Sequence, residues 1–131
     1  TYMIQHWDIL LMKTEKELKR IEVIIATENV NKVNNALKNA GVGGVTIHEG
    51  KGRGATPKAE ITGARGMARF VSEFYSRSSI VTIVDDSKVD AVINAITGAV
   101  STGSLGDGKI LISSIDEAID IGTKKRGKDT I

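Results

Sequence analysis

The sequence predicts an α+β domain: a four-stranded antiparallel sheet with two helices on one face, in the order β-α-β-β-α-β. Three observations predict it. Four short runs rich in Ile and Val read as strands. Two stretches between them repeat their apolar residues at helical spacing. These two helices follow the first and third strands. That order is the ferredoxin-like, split βαβ arrangement.

Each element has its own justification. "RIEVIIAT", Arg20 to Thr27, is a β-branched run that reads as a strand buried on both faces. In "TENVNKVNNALKNAG" the period changes, and Val30, Val33, Leu37 and Ala40 share one helical face. Thr27 is the expected N-cap and Gly41 the expected stop. "GVTIHEG" is the second strand, with Val45 and Ile47 on one face. "SIVTIVDD" is the third strand, and "DDSKVDAVINAITGAV" is the second helix. Asp86 or Ser87 is its expected cap, and Val89, Val92, Ile93, Ile96 and Val100 form its stripe. "KILISSI" is the fourth strand. The strands Arg20–Thr27 and Ser79–Val84 look apolar on both faces, although helices cover only one side of such a sheet. The uncovered face is therefore expected to be buried in an oligomer.

A chain of 131 residues is one domain with room for a real core. With two Phe, two Tyr and one Trp, that core must come from Ile, Val, Leu and Ala. The absence of Cys excludes disulfides and thiolate chemistry, and His6 and His48 lie far apart, so no metal site built from side chains is expected. A formal charge of +2 does not call for nucleic acid. No stretch approaches the roughly 20 apolar residues of a membrane span. Residues 1–17 have neither a basic start nor a cleavage site, and are expected to be an extension or leader ahead of a domain spanning 18–131. The basic residues cluster. Lys51, Arg53, Lys58, Arg65 and Arg69 share one glycine-rich region, and Lys124, Lys125, Arg126 and Lys128 the C-terminal end. Beside glycines, such clusters suit either a small anionic ligand or solvated loops.

Two glycine loops focus this choice. "GSLGDGKI", Gly103 to Ile110, has the spacing of a phosphate-binding P-loop except for Ile110 in the Ser/Thr place. A P-loop runs from strand to helix, whereas this one runs from helix to strand, so a Walker-type NTPase is excluded. The loop is then either a plain turn or a concavity of N–H groups with Lys109 as a point charge. Asp107 is better suited to brace the loop or to accept from a ribose hydroxyl than to face phosphate. "GKGRG", Gly50 to Gly54, is equally basic and follows the second strand. It opens a long irregular segment, Gly50 to Gly66, with five glycines and the one proline. In a split βαβ sheet the two loops belong to opposite edge strands, and a trimer or similar ring could bring them together across a subunit boundary into a nucleotide cleft.

These residues carry a resemblance. "TGSLGDGKI", Thr102 to Ile110, resembles the B-loop of the PII signal-transduction (nitrogen regulatory) family. "LKRIEVIIA", "ALKNAGVGGVTIHEGKGRG" and the terminal Ile131 match in order and spacing. The resemblance implies a cytoplasmic homotrimer that is not an enzyme. It implies ATP or ADP, with Mg2+ accompanying ATP, in clefts between subunits. It implies sensing of 2-oxoglutarate, and control of ammonium transporters or nitrogen-metabolism enzymes through the long T-loop. Carried over by position, the nucleotide set is Gly44 and Thr46, the backbone of Val81, Thr82 and Ile83, and Gly52, Arg53, Gly54 and Ala55 where the T-loop opens. It continues with Thr102, Gly103, Gly106, Asp107, Gly108 and Lys109. Lys58, Arg65, Arg69 and Phe70 would meet the partner.

Several positions depart from the family pattern. Phe70 stands where some members carry a modifiable tyrosine, which excludes that modification there. Thr56 and Ala55 replace the glutamine and arginine of the 2-oxoglutarate site, while Arg77 keeps the charge of its lysine. Asp120 and Gly122 replace two phosphate-binding arginines, and Lys124, Lys125 and Arg126 are expected to substitute for them. The alternative readings are a divergent sensor of another nucleotide or bicarbonate, and an RNA-binding module. The strands Arg20–Thr27 and Lys109–Ile115 lack the stacking aromatics that an RNA-binding sheet uses.

Overall fold

A computed structural model of the chain describes residues 17–55, 61–62, 69–70 and 73–131. The expected leader, apart from Glu17, lies outside the described residues, as do Thr56, Lys58 and Arg65. The elements are β1 (Leu18–Ala26), α1 (Val30–Asn39), β2 (Thr46–Gly52), β3 (Ile61–Thr62), β4 (Arg69–Phe70), β5 (Tyr75–Asp85), α2 (Val89–Val100) and β6 (Lys109–Ile115). The main sheet is antiparallel throughout, in the order β2-β5-β1-β6, and β3 pairs separately with β4. This is the expected split βαβ fold, with β1 and β5 central.

The core lies between the sheet and the two helices. β1 supplies Ile21, Val23 and Ile25, and β5 supplies Ile80 and Val84 from the same face. Val33 and Leu37 of α1 and Val92 and Ile96 of α2 cover them, with Val42 closing the side. The fully buried residues of each helix are four apart, so they stack on a single stripe. Each such side chain contributes roughly 1.5–3 kcal/mol through burial. Gly41, at φ +85°, ends α1 in the left-handed conformation.

The structure differs from the sequence reading at the helix starts. A 3₁₀ turn precedes each helix, at Thr27–Asn29 and Asp86–Lys88. Thr27 is no N-cap, because it lies inside the first turn, behind Ala26 at the cap, and its hydroxyl accepts from Ser78 Oγ at 3.0 Å. The carboxylate that caps the second turn is Asp85, which accepts from the Ser87 N–H at 2.9 Å, rather than Asp86 or Ser87. The third strand begins at Tyr75, four residues before Ser79. The second strand runs on to Gly52, and Ile61–Thr62, inside the segment expected to be irregular, forms a strand that pairs with Arg69–Phe70.

The outer face of the sheet is mixed rather than apolar. It carries Ile24, Val81, Ile83 and Leu111, but also Arg20, Glu22, Arg77 and Ser79. Glu22 accepts from Ser79 Oγ at 2.5 Å and Arg20 Nη1 at 3.1 Å, and these bonds, Ser79's foremost, hold its carboxyl below the usual range. The exposure of Leu111 marks this face as uncovered in a single chain.

Leu37→Ala is expected to cost about 2–5 kcal/mol by leaving a cavity under α1. Lys32→Ala, on the exposed side of the same helix, is expected to stay within about 0.5 kcal/mol. Urea unfolding followed by circular dichroism checks both.

Candidate functional site

The sheet order decides where the glycine loops lie. Gly52 opposes Tyr75, Ala26 opposes Arg77, and Lys109 opposes Ile24. The end of β2, the start of β5, the end of β1 and the start of β6 therefore meet at one end of the sheet. The two loops flank this end at opposite edges, three strand spacings or about 14 Å apart.

The loop from Ser101 to Gly108 joins α2 to β6 and is built around one carboxylate. Asp107 accepts from the Thr102 N–H at 2.5 Å, the Thr102 hydroxyl at 2.5 Å and the Ser104 N–H at 3.3 Å. The Ser104 hydroxyl accepts from the Gly106 N–H at 3.2 Å, which completes a capping box over the turn Leu105–Asp107. The Thr102 hydroxyl, more than any other donor, holds the Asp107 carboxyl below the usual carboxylate range. Much of the loop's N–H potential thus turns inward onto Asp107 and Ser104. Sequence reasoning missed Ser104, although "SLGD" has the S-x-x-D spacing of a capping box.

Two glycines are required for different reasons. Gly103 sits at φ +84° with open space around it, so its role is conformational. Gly108, at φ +134°, lies against β1, and a Cβ there would fall 2.3 Å from the Ile24 carbonyl oxygen. No side chain fits that gap without moving the backbone.

The two sides of the loop differ. Toward the helices lies a hollow of about 220 Å³ with an apolar floor of Val23, Ile25, Ile96 and Val100 and a polar rim that includes Thr97, Ser101, Asp107 and Lys109. On the outer side, the strand register puts Lys109 and Arg77 on one face.

The other candidate residues lie along the β2 edge. Gly44 accepts from the buried Thr82 hydroxyl at 2.6 Å, so Thr82 points into the helix side and secures Gly44. Thr46 opposes Val81, where the β2–β5 ladder begins, and Val81 and Ile83 face outward, half-buried. From Thr46 to Gly52 the edge is about 20 Å long. Beyond it, Arg53 pairs with Glu73 at 2.7 Å, and Gly54 and Ala55 are exposed. The backbones of Arg69 and Phe70 form β4.

The tail is a tight turn rather than a free arm. Ile119 bridges to Arg126, and the Asp120 carboxylate accepts from the Gly122 N–H at 2.9 Å and the Thr123 N–H at 3.4 Å. Lys124 adopts a left-handed φ of 63° and is exposed with Lys125, whereas Arg126 is ion-paired with Glu117. Lys128 reaches Asp85 at 3.0 Å. The Ser87 N–H first and Lys128 second hold the Asp85 carboxyl at about 2.

Two outcomes follow from the loop. Gly108→Ala is expected to destabilise the protein by about 2 kcal/mol or more, through both clash and strain, and Gly103→Ala by about 1 kcal/mol. Thermal and urea denaturation measure the difference. The Asp107 bonds stabilise the loop fully above the ordinary, unfolded carboxylate range, and the stabilisation is lost as pH falls through the lowered folded value. An NMR pH titration is expected to show the Thr102 and Ser104 amides moving together at that acid transition, and not at all in Asp107→Asn.

Comparison with known proteins agrees with this architecture. The family model described as nitrogen regulatory protein P-II matches residues 18–125. The chain is 40% identical over 114 residues to a nitrogen regulatory protein P-II of Rhodospirillum rubrum, and 39% identical to that of Rhodobacter capsulatus. In both cases the match covers 87% of this chain and 100% of the relative. Among solved structures, a B. subtilis GlnK–ATP complex superposes with a TM-score of 0.69 at 25% identity, covering 88% of this chain and 98% of that one. An Arabidopsis thaliana PII bound to citrate superposes at 0.70 with 24% identity, covering 89% and 94%, and supports the fold alone. With the family model spanning both glycine loops and relatives matched over their whole length, this chain belongs to the nitrogen regulatory P-II family.

Proposed function

We propose that the protein is a regulatory signal protein, not an enzyme, that binds ATP or ADP in clefts between the subunits of a cytoplasmic homotrimer. The observation that carries this reading is the family match across residues 18–125, which takes in both ends of the candidate site. The GlnK–ATP complex superposes on 88% of this chain, and the ATP in that complex is an elongated anion. The geometry suits such a ligand. The exposed β2 edge from Gly44 to Ala55 offers a long track, and the glycine loop with Lys109 offers a charged end. In one chain these lie at opposite edges, so a cleft holding both takes one from each of two subunits. The mixed outer face, with exposed Leu111 beside the Glu22–Ser79–Arg20 network, is the surface that assembly would cover. No helix among the described residues is long and apolar enough to cross a membrane.

Lys124 and Lys125 are proposed to take the place of the missing arginines near the phosphates, with Arg126 engaged by Glu117. Mg2+ would accompany ATP through the phosphates themselves. For 2-oxoglutarate the one described candidate is Arg77, whose guanidinium already donates to a backbone carbonyl, so the proposal stops at adenine nucleotides. The output would be control of an ammonium transporter or a nitrogen-metabolism enzyme through the T-loop, with Lys58, Arg65, Arg69 and Phe70 in contact.

Calorimetry with ATP, ADP and AMP, each with and without Mg2+ and 2-oxoglutarate, tests the reading. Micromolar binding of ATP or ADP, together with sedimentation at three times the chain mass, is expected. Failure of every adenine nucleotide to bind would overturn it. Replacing Lys124, Lys125 and Arg126 jointly by Ala is expected to weaken ATP at least tenfold, and unchanged affinity rules out the substitution by the tail.

A further inference from the structure

Arg77 stands out at the end of the sheet because it touches both loops. Its Nη2 donates to the Gly106 carbonyl at 3.3 Å, 29 residues away in sequence. Its aliphatic stem lies on the other edge, where a Cβ at Gly52 would be only 3.0 Å from the Arg77 Cγ. Its guanidinium carbon is 5.1 Å from the centroid of the Tyr75 ring, a cation–π contact that flattens it along the sheet.

The path from one loop to the other is open because of a neighbour. Arg77 sits on β5, and β1 separates it from the glycine loop. The residue of β1 directly opposite Arg77 is Ala26. Its methyl group leaves a lane over the strand for the long side chain.

The contact at Gly106 acts on a peptide unit held from both sides. The Gly106 carbonyl accepts from Arg77, and the N–H of the same peptide, that of Asp107, donates to the Ser104 carbonyl at 3.2 Å. The orientation of this plane sets the position of Asp107, whose carboxylate gathers the rest of the loop. A hydrogen bond with a charged donor is about twice as strong as a neutral one.

We propose that Arg77 is a positioning residue, a strut that couples the glycine loop Thr102–Gly108 to the end of β2 at Gly52 within one chain. A displacement of either loop is passed to the other through the guanidinium. Guanidinium geometry matters, because one planar group must stack on Tyr75 and donate to Gly106 together. The coupling itself needs no ligand. Its consequence for signalling rests on the nucleotide reading: the two loops of one chain would belong to two different clefts, which Arg77 would link.

The test uses nucleotide-free full-length protein, so that it reads separately from nucleotide binding. Amide chemical shifts of Gly52 and Gly54 are recorded for the unmodified chain, Asp107→Asn, Arg77→Met and the double variant. Met keeps the stem on Gly52 and removes the guanidinium, both its donor to Gly106 and its contact with Tyr75. Asp107→Asn is expected to shift the Gly52 and Gly54 amides when Arg77 is present, and to shift them less than half as much in the Arg77→Met background. Arg77→Lys is expected to restore part of the response. An equal response to Asp107→Asn with and without Arg77, or no response in either, overturns the proposal. So does Arg77→Met coupling as well as Arg77→Lys, since only a space-filling role predicts that. Circular dichroism of each variant confirms that the comparison is made on folded protein.

Discussion

The pairing of β5 with β1 is the constraint from which the rest follows. Among the described residues this pair supplies the strand side of the core, where Ile21, Val23, Ile25, Ile80 and Val84 meet both helices. With these two strands central, β2 and β6 are left as edges. Antiparallel pairing then brings the end of β2 and the start of β6 to one end of the sheet while keeping them apart. The separation of the two glycine loops is thus a property of the core, not of the loops.

At that end, local chemistry converts glycine-rich sequence into defined shape. Gly108 lets the chain come within van der Waals contact of the Ile24 carbonyl, and that contact fixes the loop against β1. Asp107 then collects the donors of Thr102 and Ser104, while Ser104 collects that of Gly106. The apolar-floored hollow behind the loop and the cations before it give the loop two chemically distinct sides. Arg77 adds a lateral tie to this radial arrangement.

Much of this was legible in the sequence. The strand and helix order followed from period changes, and the helix-to-strand context of "GSLGDGKI" already separated it from a P-loop. What escaped the reading has a physical pattern. The sequence reading starts the third strand at Ser79, yet Ser78 is buried and bonded to Thr27, and pairing with β1 and β2 makes Tyr75 to Ser78 strand. Both helices start through a 3₁₀ turn, which moves the cap one or more residues away from where helical spacing puts it. The outer face was read as apolar from Ile and Val counts. Alternation instead places Arg20, Glu22 and Ser79 there, and their mutual bonds make that tolerable. The Arg77–Gly106 contact links residues far apart in sequence across three strands, and no local pattern reports it.

The self-satisfied glycine loop also has a kinetic side. Because Asp107 and Ser104 already order it, an anion bound as proposed would not wait for the loop to fold, and little conformational entropy would be lost on capture. Association would then be governed by diffusion and by the field of Lys109 and Arg77 on the outer face. Differences among the anions that dock there would appear mainly in how long each one stays.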